Sequence, residues 1–172
     1  KLTSEAVYYA TLLAMAESLR FGIVSSSDMY YFCDDMVRAV EESGAKANIS
    51  RSITSFAEGS VKNNDSYREA EALIRDYHGA AEGRILIDAS IHAEYTNTVT
   101  SMTEVADLAK KYGVNMHVHV SETKQEHEEC KARHGGRTPA QLLCDLGAFD
   151  TRTTAAHCVW AEEEDIEIFS EK

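Results

Sequence analysis

Two histidines one residue apart, His117-Val118-His119, are followed at once by Val120-Ser121-Glu122. Alternate side chains of a strand share a face, so His117 and His119 point one way and Met116, Val118 and Val120 the other. With the aliphatic trio packed against neighbouring elements, both imidazoles enter the polar side, and Glu122 stands just past the strand end near His119. An imidazole beside a carboxylate supplies a metal ligand and a proton carrier in one place. A same-face histidine pair is equally often a polar pair of a core, so this spacing alone does not decide. His157, closing Thr153-Thr154-Ala155-Ala156, and His92, closing Asp88-Ala89-Ser90-Ile91, shift the balance, because each ends a run that reads as a strand. Three successive strands ending in histidine point to a shared centre. His78, His127 and His134 fall on helical or loop segments among charges and read as solvated.

Periodicity gives the elements that must position these groups. Thr3 reads as the N-cap of a helix with Val7, Thr11, Ala14, Met15 and Leu19 on one face and Gly22 at its stop. The runs Phe21 to Asp28, Ala45 to Ser52, Arg84 to Ile91, Val114 to Val120 and Arg152 to His157 read as strands. Between them, Asp34 to Ser43, Ser66 to Tyr77 and the stripe Val99, Met102, Val105, Leu108 and Tyr112 read as helices, with Gly44 and Gly113 as stops. Further helical pieces run from Lys124 to Arg133, from Thr138-Pro139 (N-cap and N1) and from Glu162 to Phe169. Strands alternating with helices across long crossovers require a parallel sheet with helices packed outside it.

Two α/β folds have that rhythm. A doubly wound sheet carries a glycine-rich phosphate turn after its first strand, but here the segment Ser25 to Asp35 has no glycine and several carboxylates. Polar side chains instead close successive strands: Asp28, Arg51, His92, His119 and His157. In a (β/α)8 TIM-type barrel all strand ends meet at one mouth, where catalytic groups collect. A whole barrel takes roughly 250 residues, so the 172 residues are expected to form one piece of a barrel domain, about five consecutive βα units.

Composition narrows the partners. Seventeen Lys and Arg against 29 Asp and Glu leave a net charge of -12, which repels phosphate backbones and argues against nucleic acid. No run approaches the roughly 18 apolar residues of a membrane helix, and no signal peptide opens the chain. Cys33, Cys130, Cys144 and Cys158 form no CxxC pair, which suits reduced thiols in a cytoplasmic protein. Open sheet edges lead to an expectation of self-association or a homodimer.

The motif His117-Val-His-Val-Ser-Glu-Thr123, followed later by Thr154-Ala-Ala-His-Cys-Val-Trp160, resembles the amidohydrolase superfamily. Within it, the chain is most similar to the S-adenosylhomocysteine/5-methylthioadenosine deaminases and the atrazine chlorohydrolase-like triazine hydrolases, over essentially its whole length. The resemblance implies a divalent metal, usually zinc, held by an HxH pair on the first strand, a histidine on the fifth and an aspartate on the eighth. His119, with Glu122 three residues on, corresponds to the fifth-strand ligand. His157 corresponds to the sixth-strand histidine at the reacting centre, His92 to the substrate-contacting histidine of the fourth strand, and Arg51 to a substrate-binding arginine of the third. The HxH pair and the last aspartate have no counterpart, which assigns residues 1–172 to strands two to six. The implied reaction is attack of hydroxide, generated at the metal, on a ring carbon bearing an amino or chloro group. Glu122 passes the proton to the ring nitrogen, and His157 orients the nucleophile. The implied substrate is a small N-heterocycle of purine-nucleoside type. A chlorohydrolase, a guanine or cytosine deaminase, and a non-catalytic dimerising half-barrel stay open as alternatives. With one of four ligands present, residues 1–172 alone are expected to be inactive.

Overall fold

A computed structural model describes all 172 residues. The chain opens with α1 (Ser4–Arg20), whose first turn is closed by the Thr3 hydroxyl accepting the Ala6 N–H at 3.2 Å. Then follow β1 (Ser25–Tyr30), α2 (Cys33–Ser43), β2 (Lys46–Arg51), α3 (Asp65–Tyr77), a short α4 (Ala80–Gly83), β3 (Ile85–Ile87) and β4 (Ala89–Ala93). After a 3-10 turn at Glu94–Thr96 come α5 (Val99–Tyr112), β5 (Met116–Val120), α6 (Lys124–Arg133), α7 (Pro139–Asp145), β6 (Thr153–His157) and α8 (Glu163–Glu171). None of these helices is long and apolar enough to cross a membrane.

All strand pairings are parallel, in the order β1-β2-β3 and β4-β5-β6. The run expected from Arg84 to Ile91 is one strand broken at Asp88. Its first half pairs with β2 and its second with β5. The Ile53–Ile91 bridge, and the Asp88 N–H donating to the Ile49 carbonyl at 3.1 Å, carry the seam across. The sheet therefore bends at Asp88 as a curved barrel wall does, and β1 and β6 end it.

The first strand corrects the sequence expectation. It begins at Ser25, not Phe21, and Phe21, Ile23 and Val24 are exposed. The apolar character of Phe21 to Val24 suggested a strand, but pairing begins only where Ser25 meets Lys46.

Register fixes the two faces. Ala47, Ile49, Ile85, Ile87, Ile91, Met116, Val118 and Val120 turn towards the helices and join a cluster of 33 buried hydrophobic residues. Burying such side chains stabilises by about 1.5–3 kcal/mol each. The opposite, concave face is polar, with Asn48, Ser50, Asp88, Ser90, His117 and His119. Asp88 is the costly member. It is 1% exposed, Oδ1 has no partner, and its one side-chain bond comes from Asn48 Nδ2 at 3.5 Å. Burial pushes its carboxyl up to about 6, only partly offset by His78. A raised carboxyl pKa in the folded state means that ionised Asp88 destabilises above pH 6, and that the penalty fades as pH falls towards its unfolded value. Asp88→Asn is therefore expected to raise stability at pH 8 by roughly 2–3 kcal/mol and to change little at pH 4. Urea midpoints at the two pH values check this, and an equal gain at both would refute it.

Candidate metal and catalytic site

The C-terminal ends of β4, β5 and β6 bring three imidazoles together. The His119 ring centroid lies 5.0 Å from that of His92 and 5.1 Å from that of His157. His157 Nε2 lies 3.6 Å from Glu122 Oε2. The donor atoms of His119, Glu122 and His157 all fall within 4.8 Å of one another. His117 sits one layer deeper on the same face as His119, 6% exposed, with its ring centroid 6.0 Å away.

Two of these positions depend on backbone irregularities that simple alternation does not contain. Between Ile91 and Ala93 the register against β5 shifts, so His92 is an extra, bulged residue. Bulges re-aim side chains, and this one carries His92 towards His119. His157 pairs with Val120, whose side chain faces the helices. A φ of 73° at His157 and 54° at Cys158 breaks the alternation there, and the imidazole comes to His119 instead. Left-handed backbone at a non-glycine residue costs of order 1–3 kcal/mol and concentrates at functional sites. Phe32 and Ser121, also left-handed, likewise follow strand ends.

Electrostatics favour neutral imidazoles. Burial, followed by His119 and His157, lowers His117 to about 4. Burial, then His92 and His157, also lowers His119, against an opposing pull from Glu122. A metal ligand must offer a bare nitrogen lone pair, which a depressed pKa supplies near neutrality. His92 Nδ1 lies 3.1 Å from Thr96 Oγ1, whose own proton goes to the Ala93 carbonyl. The ring therefore donates at Nδ1 and leaves Nε2 free as an acceptor. The nitrogens of His119 and His157 and the Glu122 carboxylate are donors of the kinds that zinc takes.

The structure does not bring Arg51 or Asp28 to this cluster. Their register partners Tyr30 and Ile49 place both on the helix-facing side. Arg51 Nε donates to Glu69 Oε2 of α3 at 2.7 Å, and its guanidinium lies 4.9 Å from the Tyr31 ring. Asp28 lines a groove with Val7, Met15 and Met36.

Several residues escaped the sequence reading. His127 is 2% exposed and fully hydrogen-bonded, and is not solvated. His134 Nε2 and Arg133 both bind buried Glu94, at 2.9 and 2.6 Å. The same carboxylate lies near Cys130, but Arg133 already balances its charge, and the cluster is a structural tie between α6 and the turn after β4. His78 Nδ1 receives the Ile87 N–H at 3.1 Å. Tyr95 packs edge-on at 6.0 Å from His92. Half-exposed, it adds aromatic surface beside the polar centre.

The family model for the amidohydrolase family matches residues 2–172. The chain belongs to the amidohydrolase family. It is 43% identical over 171 residues to a 5-methylthioadenosine/S-adenosylhomocysteine deaminase of Caldanaerobacter subterraneus, covering 99% of this chain and 39% of that one. A 5'-deoxyadenosine deaminase of Methanothermobacter thermautotrophicus is 36% identical over 172 residues, of which the chain spans 40%. This amidohydrolase chain thus spans about two fifths of the length of these relatives. Among solved structures, a zinc-bound adenosine deaminase from Xanthomonas campestris superposes with TM-score 0.87 at 27% identity, covering 99% of this chain and 38% of that one. The zinc-bound atrazine chlorohydrolase of Arthrobacter aurescens superposes with TM-score 0.86 at 20% identity over 99% of this chain and 42% of that one, which speaks for the fold alone.

Proposed function

We propose that these residues form strands two to six of a (β/α)8 barrel whose complete protein hydrolytically deaminates an N-heterocycle of purine-nucleoside type. The observation that carries this reading is the convergence of His92, His119, His157 and Glu122 at adjacent strand ends. The deaminase names of relatives at 36–43% identity support the substrate class.

In this reading His119 is a metal ligand, and zinc suits the donor set. When bound, such a metal supplies Lewis acidity and a nucleophile drawn from water near neutral pH. Glu122 takes a proton from that nucleophile and delivers it to the ring nitrogen beside the reacting carbon, so negative charge need not accumulate there. A second transfer through Glu122 carries the remaining hydroxyl proton to the amino group, which leaves as ammonia as the C–N bond breaks and the carbonyl forms. His157, 3.6 Å from the carboxylate, orients the attacking oxygen and stabilises charge on the tetrahedral carbon centre. His92 Nε2, free to accept, contacts the substrate, and the exposed ring of Tyr95 beside it offers flat apolar surface to the heterocycle. Arg51 stays on the outer rim with Glu69. The four free cysteines suit a reducing, cytoplasmic compartment.

A panel assay on the complete, zinc-loaded protein tests the reading. Ammonia release should be fastest from 5'-modified adenosines, slower from guanine and cytosine, and chloride release from chlorotriazines slowest. Turnover confined to the chlorotriazines would replace the deaminase reading with the chlorohydrolase one.

A further inference from the structure

Glu122 protrudes from a short turn and is held there by a neighbour that no motif marks. Ser121, immediately before it, is fully buried with φ 48°, a conformation serine adopts only at a cost. Its hydroxyl lies 3.0 Å from His127 Nδ1, and His127 Nε2 lies 3.0 Å from Glu162 Oε1. A carboxylate only accepts, so Nε2 carries a proton towards Glu162, and in that tautomer Nδ1 accepts the Ser121 hydroxyl. Glu162 is anchored in turn by Lys131 Nζ at 2.6 Å.

This chain joins two turns that must stay in register. Ser121 leads into Glu122, whereas Glu162 belongs to the segment after His157. The Trp160 N–H also donates to the Ser121 carbonyl at 3.0 Å. On α6, Glu126 precedes His127 and accepts the Glu122 N–H at 2.9 Å, so consecutive residues of one helix grip consecutive residues of the turn.

We propose that His127 is a positioning residue for Glu122, acting through Ser121 and anchored by Glu162. The inference rests on the reading of Glu122 as the proton carrier. A carboxylate that must meet a nucleophile and then a ring nitrogen tolerates little displacement, and a misplacement of about 1 Å can cost 10²-fold.

The test uses the complete, metal-loaded protein and three variants. His127→Gln can keep the donor to Glu162 but loses the acceptor for Ser121. His127→Asn can place its amide oxygen near the position of Nδ1 and keeps that acceptor. His127→Ala loses both. The expected result is a kcat lowered by about 10–10²-fold in His127→Gln and His127→Ala, with KM and metal content unchanged and most of the loss restored in His127→Asn. Hydrogen–deuterium exchange of segment 119–123 should quicken in the Gln and Ala variants and not in the Asn variant. Equal losses in the Gln and Asn variants, or exchange at 119–123 that does not respond, would overturn the proposal. If the variants do not fold, Ser121→Ala, which deletes a single oxygen, carries the same two readouts. A wild-type protein that deaminates nothing would sink the functional reading, and the exchange measurement would then decide the positioning role by itself.

Discussion

Glu122→Gln in the complete protein is expected to lower turnover by about 10²–10⁴-fold and to leave metal content unchanged. Glutamine keeps the length and polarity of the side chain but cannot carry a proton between the attacking oxygen and the ring. The position is 42% exposed, and the backbone N–H is held by Glu126 independently of the side chain, so the fold should not respond. KM should move little, because the side chain acts on the reacting bonds and contributes little to the binding of the rest of the substrate. Metal analysis alongside steady-state kinetics checks both halves. A variant with wild-type turnover would show that Glu122 carries no proton, and one that loses its metal would move the carboxylate into the ligand set.

The sequence made the helix-facing half of this architecture legible and the site only in part. Aliphatic alternation in Met116 to Val120 fixed a strand with both histidines on the concave face, and the thermodynamic demand to bury that trio is visible in the residues themselves. Gly44 and Gly113 marked helix ends, where the chain does adopt φ of 75° and 65°. The convergence of His92 and His157 on His119 was inferred from their place at strand ends, but the devices that achieve it were not visible. A bulge at His92 and left-handed backbone at His157 have no residue-type signature, since neither residue is a glycine. Arg51 and Asp28 show the converse failure. Period-2 alternation puts every second residue on the helix side, and a strand end alone does not say which side its polar residue takes. The burial of His127 was hidden because six of the ten residues of α6 are charged, one of them the buried Glu126, leaving no apolar stripe to reveal its inner face.

His119→Ala is expected to remove the metal and with it all measurable turnover of the complete protein. His119 is the imidazole on which the others converge, half-buried and held neutral by burial and by its two histidine neighbours, so its lone pair is the one most prepared for a cation. Alanine leaves a gap that His117 cannot fill. That ring is 6% exposed, its centroid lies 6.0 Å from that of His119, and its Nδ1 rests 3.4 Å from Ser50 Oγ. His117→Ala should accordingly keep the metal, its cost appearing as lost stability. Residues 1–172 expressed alone give the complementary result. His119, His157 and Glu122 lie within 4.8 Å of one another, but in the proposed reading only His119 ligates, and tight zinc sites close around the ion with typically four ligands. The isolated chain should therefore bind zinc weakly and release no ammonia. Metal content after gel filtration, measured on both variants and on the isolated chain, checks these outcomes together. Stoichiometric zinc retained by His119→Ala, or zinc-dependent ammonia release by residues 1–172, would transfer the metal to other ligands.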